Sequence, residues 1–239
     1  MRRYLISAGA AVALSATALQ AQAPNQFSVG AHTGYTQFAD GTGLDNSPFF
    51  GLDAAYRFAN FGLGALDVGL GFTFAASRPV TRGDQFPAVL FDFGDTSFVF
   101  SVAQRVTMLQ YAAQGVLGHS FGRARLYGMG GGGMYTTFLD SRQTLSSESI
   151  TEPMGLIGGG LEYAVGRNFG FRAEVRDFIM FQFDRDRLDP TVGYAQDRRI
   201  LDALPPPDPT KSTLHNIQAS LVFTYVPNRR GVTTEEQAP

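Results

Sequence analysis

The sequence predicts an all-β fold, a closed antiparallel transmembrane β-barrel of eight strands. Three observations carry this. Segments of about ten residues alternate apolar with small or polar side chains, the pattern of strands with one face in hydrocarbon. Short and long connectors between those segments strictly take turns. No stretch after the amino-terminal region is long and apolar enough for a membrane helix, so a spanning chain must close a barrel to satisfy its backbone N–H and C=O groups.

Composition agrees. The 239 residues include 28 Gly, 21 Phe and 9 Tyr, and only 17% are charged. The net charge of −2 argues against a nucleic-acid partner, because a phosphate binder needs a basic excess. With no cysteine, disulfides, thiolate catalysis and Cys-ligated metals are excluded. Residues 1–21 read as a signal peptide. Arg2 and Arg3 precede an apolar run from Tyr4 to Leu19, and Ala21-Gln22-Ala23 supplies a cleavage end. Cleavage is expected after Ala21, because Pro24 hinders a cut at Ala23. Residues 22–227 form the barrel, and residues 228–239 a polar periplasmic tail.

The first strand spans Phe27–Thr36, with Phe27, Val29, Ala31, Thr33 and Tyr35 opposite Ser28, Gly30, His32 and Gly34. The second runs from Phe50 to Phe58, with Asp53 and Arg57 on its smaller, more polar face. A turn at Ala59–Gly62 leads to the third, where Leu66, Val68, Leu70, Phe72 and Phe74 oppose Asp67, Gly69, Gly71 and Thr73. The fourth lies in Thr107–Gly118, with Gln110 and Gln114 against Leu109 and Tyr111. The fifth covers about Arg125–Phe138, the sixth Met154–Val165, the seventh Phe169 to about Phe181 and the eighth Leu214–Val226. Thr96–Val106 contains a further strand-like run, Phe98-Val99-Phe100-Ser101-Val102, readable as an extension of the fourth strand above the membrane, as a hairpin in the second loop or as two extra spanning strands, making ten.

Turns at Ala59–Gly62, His119–Arg123 and Gly166–Asn168 are short, whereas Gln37–Pro48, Arg78–Val106, Leu139–Pro153 and Gln182–Thr213 are long. Sorting by end is expected of a membrane barrel with short periplasmic turns and long extracellular loops. The apolar face is assigned to lipid. Small and polar side chains then fill a narrow lumen, where buried charges must pair. The expected lumen network is His32, Asp53, Arg57, Asp67, Gln114, Glu162, Arg172, Glu174, Arg176 and Gln218. With the sixth and seventh strands joined at Gly166–Asn168, Glu162 falls opposite Arg172, and the two are expected to pair. Tyr35, Tyr56, Phe74, Tyr163, Phe169, Phe171 and Tyr225 are expected to form aromatic girdles.

The strand pattern, the glycine-rich runs Tyr127–Gly133 and Gly158–Tyr163, and Phe171-Arg172-Ala173-Glu174-Val175-Arg176 together resemble the OmpA-like eight-stranded outer-membrane barrels. The resemblance implies an outer-membrane location, contact with outer-membrane lipid and assembly by the barrel-insertion machinery. Only the polar tail Asn228–Pro239 follows the last strand, where larger members carry a peptidoglycan-binding domain, so anchoring to the cell wall is not expected. The last strand does not end the chain, so an internal insertion signal around Phe223-Thr224-Tyr225 must serve.

Other motifs weigh less. Gly128–Gly133 satisfies G-x-G-x-x-G but precedes a β-prone segment rather than the helix a dinucleotide site needs. Asp184, Asp186 and Asp189 alternate with arginines and lack a calcium-loop pattern. Pro205–Pro209 reads as a stiffened stretch of loop. His119 and Ser120 are adjacent in a turn, where their side chains diverge. His32 and His215 lie on strands that pair in a closed barrel, but His215 has the apolar-face parity of Ile217, so no hydrolase constellation is legible. The expectation is a non-enzymatic surface protein with a plugged lumen, no catalytic residue, no metal and no cofactor. Its extracellular ligand is unspecified. A lipid A- or peptide-modifying barrel enzyme and a narrow small-solute pore are the alternatives.

Overall fold

The computed structural model describes residues 26–58, 66–82, 89–92, 97–100, 103–139, 149–166, 168–188 and 212–227. The amino-terminal segment, the turn at Ala59–Gly62, the polyproline stretch, Asp189 and the polar tail lie outside them. Among the described residues ten strands are present: β1 (Gln26–Gln37), β2 (Ser47–Arg57), β3 (Leu66–Ser77), β4 (Val89–Asp92), β5 (Ser97–Phe100), β6 (Val106–Phe121), β7 (Ala124–Leu139), β8 (Ser149–Ala164), β9 (Phe169–Phe183) and β10 (Ser212–Tyr225). Eight close an antiparallel barrel in the order β1-β10-β9-β8-β7-β6-β3-β2, while β4 and β5 pair only with each other. The strand-like run at Thr96–Val106 therefore contributes to a hairpin in the second loop, and the ten-strand alternative is overturned.

Closure pairs the first strand with the last, from Val29↔Tyr225 to Gln37↔Ile217, which leaves no sheet edge to hydrogen-bond in lipid. The ladders extend further toward the loop end than periodicity suggests. β2 begins at Ser47 and β8 at Ser149, because once the neighbouring strand is in place, backbone pairing continues past the last clear apolar alternation. Gly122 (φ +62°) occupies the first central position of the two-residue turn joining Phe121 and Ala124, where only glycine takes positive φ without strain.

Parity divides the side chains as expected. Phe50 (67% exposed), Leu70 (58%), Leu161 (47%) and Phe223 (43%) point outward, as do all seven residues assigned to the girdles. At the turn end the aromatics touch: Phe169 stacks on Phe223 with ring centroids 5.5 Å apart and leans on Tyr225 at 5.3 Å. An outward surface this apolar is stable only where the solvent is hydrocarbon.

The lumen departs from the sequence reading. Its turn-end half is polar, but toward the loop end the interior is an apolar plug of Phe38, Leu44, Val106, Met108, Tyr135, Met154, Phe178, Met180, Phe183 and Leu188. Tyr135 meets Phe178 edge to face at 5.8 Å. Inward parity here selects large apolar residues, which fill the bore without the charge partners a polar side chain would need. The expectation of a polar filling throughout is corrected to two stacked halves.

Candidate functional site: the lumen network

All ten predicted lumen residues are buried on the inward face. They come together in three groups along the barrel.

Nearest the turns, four strands each contribute one charge. Arg57 of β2 lies 3.5 Å from Asp67 of β3 and 3.3 Å from Glu162 of β8. Arg125 of β7 donates from Nε to Asp67 at 3.0 Å, makes a second, shorter contact to its other oxygen, and lies 3.5 Å from Glu162. Two guanidiniums and two carboxylates thus alternate around the lumen.

The second group centres on Asp53. Its carboxylate meets His32 Nδ1 at 2.9 Å and accepts from Arg172 at 2.9 Å, with Arg176 at 3.5 Å. Glu174 pairs with Arg172 at 3.3 Å and closely with Arg176, and accepts the Tyr127 hydroxyl. Arg176 also donates to Thr73 Oγ1 at 3.1 Å. Across both groups, Asp53, Asp67, Glu162 and Glu174 balance Arg57, Arg125, Arg172 and Arg176, with His32 as a further imidazole. Desolvating eight charges is tolerable because each has opposite-sign neighbours, and Arg125 forks onto both oxygens of Asp67.

Above them Gln218 of β10 donates to Thr36 at 3.2 Å and to Gln110 at 2.9 Å, bridging three strands beneath the plug. Gln114 is buried, and its carbonyl oxygen has no hydrogen-bond partner. It lines a cavity of about 30 Å³ with Asp53, Arg57, Arg125, Glu162 and Arg172. That volume suits a water or two and no solute.

One expected pair is not made. Glu162 and Arg172 stand opposite each other in the β8–β9 ladder, but Glu162 pairs with Arg57 and Arg125, and Arg172 with Asp53 and Glu174. In so narrow a bore the long arginine reaches Asp53 on β2 and Glu174 two residues along its own strand, so rung position does not choose the partner. The register was legible; the partner was not.

Arg125 and Tyr127 were missed, and Thr73 and Gln110, read onto the polar faces of their strands, were left out of the network. Arg125 had a signal. A turn of only Gly122 and Arg123 starts the strand at Ala124 and gives Arg125 the inward parity of Tyr127 and Met129. Glycines make room for these long side chains. A Cβ at Gly51 would come within 1.7 Å of His32 Nε2, and one at Gly118 within 2.5 Å of the Arg125 guanidinium.

The two histidines on pairing strands do not converge. His32 is inside with Asp53, whereas His215 is on the outer surface with its Nδ1 2.6 Å from Asp177. Among the described residues no hydroxyl hydrogen-bonds either ring, and no group of three or more His, Cys, Asp or Glu residues is arranged for a metal.

The sequence model of one family, described as an outer membrane protein beta-barrel domain, matches residues 6–197. No curated protein matches the sequence. Among solved structures, Neisserial surface protein A superposes with a TM-score of 0.51 at 12% identity, over 83% of this chain and 96% of that one. The attachment invasion locus protein Ail of Yersinia pestis gives 0.44 at 17% identity, covering 84% and 99%. The outer membrane enzyme PagL gives 0.37 at 13%, covering 83% and 98%. At such identities a structural likeness speaks for fold alone.

Proposed function

This chain belongs to the outer membrane protein β-barrel family, and on that premise we propose that it is a non-enzymatic surface protein with a closed lumen. The strands hold it in the outer membrane, the filled bore blocks solutes, and the long loops after β1, β3, β7 and β9 present the surface by which it interacts. Export by a signal peptide in residues 1–21 and insertion by the barrel-assembly machinery belong to the same proposal.

The observation that carries this reading is the two-part filling of the bore. A neutralised layer of eight charges lies beneath an apolar plug that includes Met108, Tyr135, Phe178 and Met180. An open pore needs a continuous wet path, and both halves oppose one: ion pairs cross-link the walls below, and tightly packed apolar groups exclude water above. The separation of His32 from His215, each held by its own aspartate with no hydroxyl nucleophile beside it among the described residues, supports a non-catalytic role.

Planar-bilayer recording of the refolded protein tests the closed lumen. An electrically silent bilayer is expected, with insertion verified by heat-modifiable migration on a denaturing gel. Stable conductance steps would overturn the proposal in favour of a small-solute pore.

A further inference from the structure

The β3–β6 pairing does not stop where β3 ends. Ser77 stands opposite Met108, and the bridge Val80↔Arg105 continues the same register. Val106 N–H donates to the Pro79 carbonyl and Thr81 N–H to that of Gln104, both at 2.9 Å. Arg78 therefore falls opposite Thr107, and Arg105 one diagonal step further from the membrane. Ser77, Pro79, Thr81, Gln104 and Val106 are buried, while Arg78 and Arg105 are exposed. Alternation thus places both arginines on the outer surface of the loop end, with Cα atoms about 7–8 Å apart as diagonal neighbours.

Two like charges at that spacing repel unless an anion joins them. Elsewhere on this rim the sequence supplies one: Arg82 pairs with Asp40 at 2.7 Å and Asp45 at 3.4 Å. Among the described residues, Arg78 and Arg105 have no carboxylate. Immediately below them the outer surface turns apolar, through Ala76↔Leu109 to Phe74↔Tyr111 and Phe72↔Ala113. At the height of Tyr111 a row of hydroxyls crosses three strands, Tyr111 to Thr136 at 3.2 Å and Thr136 to Thr151 at 2.9 Å. Beneath this row Gly115, Gly130 and Gly132 present a surface without side chains, where a Cβ at Gly115 or Gly130 would meet nothing nearer than 3.8 Å.

From the membrane outward, the order is a smooth apolar trough, a line of hydroxyls beside Ala76 and Leu109, then a pair of guanidiniums without a carboxylate among the described residues. That order matches an amphiphile with an acyl chain, a polar hydroxylated headgroup and a phosphate. We propose that this face of β3, β6 and β7 binds a phosphorylated, acylated glycolipid of the outer leaflet. The phosphate sits between Arg78 and Arg105, where the planar fork of arginine favours bidentate contact. The acyl chain runs down over the glycines. The proposal rests on the loops facing outward from the outer membrane and is independent of whether the lumen conducts.

Native mass spectrometry of the full-length protein, released from nanodiscs containing bis-phosphorylated lipid A, tests it. The wild type is expected to retain the lipid. An R78Q/R105Q variant with unchanged heat-modifiable migration is expected to retain at least tenfold less. The wild type in lipid A stripped of its phosphates should show the same loss, and this arm needs no variant to fold. Equal retention of the phosphorylated and stripped lipids would overturn the proposal, as would displacement of the lipid by millimolar inorganic phosphate, which would reduce the site to a simple anion patch.

Discussion

Glu162 and Arg172 are cross-strand neighbours that share the inward face and do not pair with each other. Glu162 spans the lumen to Arg57 and Arg125, while Arg172 serves Asp53 and Glu174. The two residues belong to different ionic groups stacked along the bore, and a double-mutant cycle separates the groups. Arg172→Ala leaves Asp53 and Glu174 short of a cation and should destabilise the barrel by about 3–5 kcal/mol, as loss of one partner from a buried pair does. Combined with Asp53→Asn, the effects should be non-additive by about 1–3 kcal/mol. Combined with Glu162→Gln, the non-additivity should be clearly smaller than with Asp53→Asn, because the two are rung neighbours without a direct ion pair. Urea titrations in lipid, read by gel mobility, supply the four corners of each cycle. Strong coupling of Arg172 to Glu162 would show that the ladder rung chooses the partner after all.

Glycine placement yields an inside-against-outside test. Gly51 lies beneath the His32 ring, and an added Cβ would also stand 2.2 Å from the Phe74 carbonyl. Backbone cannot yield as a flexible side chain can, so Gly51→Ala should cost about 1–3 kcal/mol as overpacking. Gly115 faces outward, and an added Cβ there would meet nothing nearer than 3.8 Å. Gly115→Ala should be neutral or stabilise by about 0.5–1 kcal/mol, because alanine loses less backbone entropy on folding. The reverse ranking in the same unfolding assay would mean that the inner and outer faces are exchanged.

The outward His215–Asp177 pair offers a foothold for an enzyme. It is exposed on the histidine side, at 61% of the side chain, so His215→Ala should change stability by under about 1 kcal/mol. The mass profile of envelope lipids from cells expressing His215→Ala should match the wild type. A lipid species that vanishes in the mutant would make this pair an acid-oriented base and reinstate catalysis at the outer surface.

What the sequence revealed, and what it hid, follows from the range of each interaction. Alternation such as Leu66-Asp67-Val68-Gly69-Leu70 is local, and it located all eight spanning strands and the lipid face. Register across a tight turn is nearly local too, which is why Glu162 was correctly placed opposite Arg172. Contact across the bore joins residues such as Arg57 and Glu162, 105 positions apart, and depends on barrel diameter and stagger, which no single strand encodes. The apolar plug was hidden for a related reason. Near the loop end, Met108, Met154 and Phe178 share inward parity, but these stretches are apolar on both faces, and periodicity loses its contrast there. Arg105 and Arg78 were read as loop because their pairing continues only as an extension of the β3–β6 ladder.

The two halves of the lumen filling make separable predictions about closure. Phe178 is fully buried against Tyr135 within the plug, and truncating a core aromatic costs about 3–5 kcal/mol. Phe178→Ala should therefore weaken the barrel markedly. It should still leave the bilayer silent, because the cavity it opens lies above the ionic layer, where Arg57, Arg125, Arg172 and Arg176 continue to cross-link the walls. Conductance should appear only when the lower layer is thinned as well, for example in Phe178→Ala with Arg57→Ala and Glu162→Ala, which removes a charge of each sign and keeps the rest in balance. If Phe178→Ala alone passes current, the plug is the whole seal and the charged layer is wet enough to let ions through.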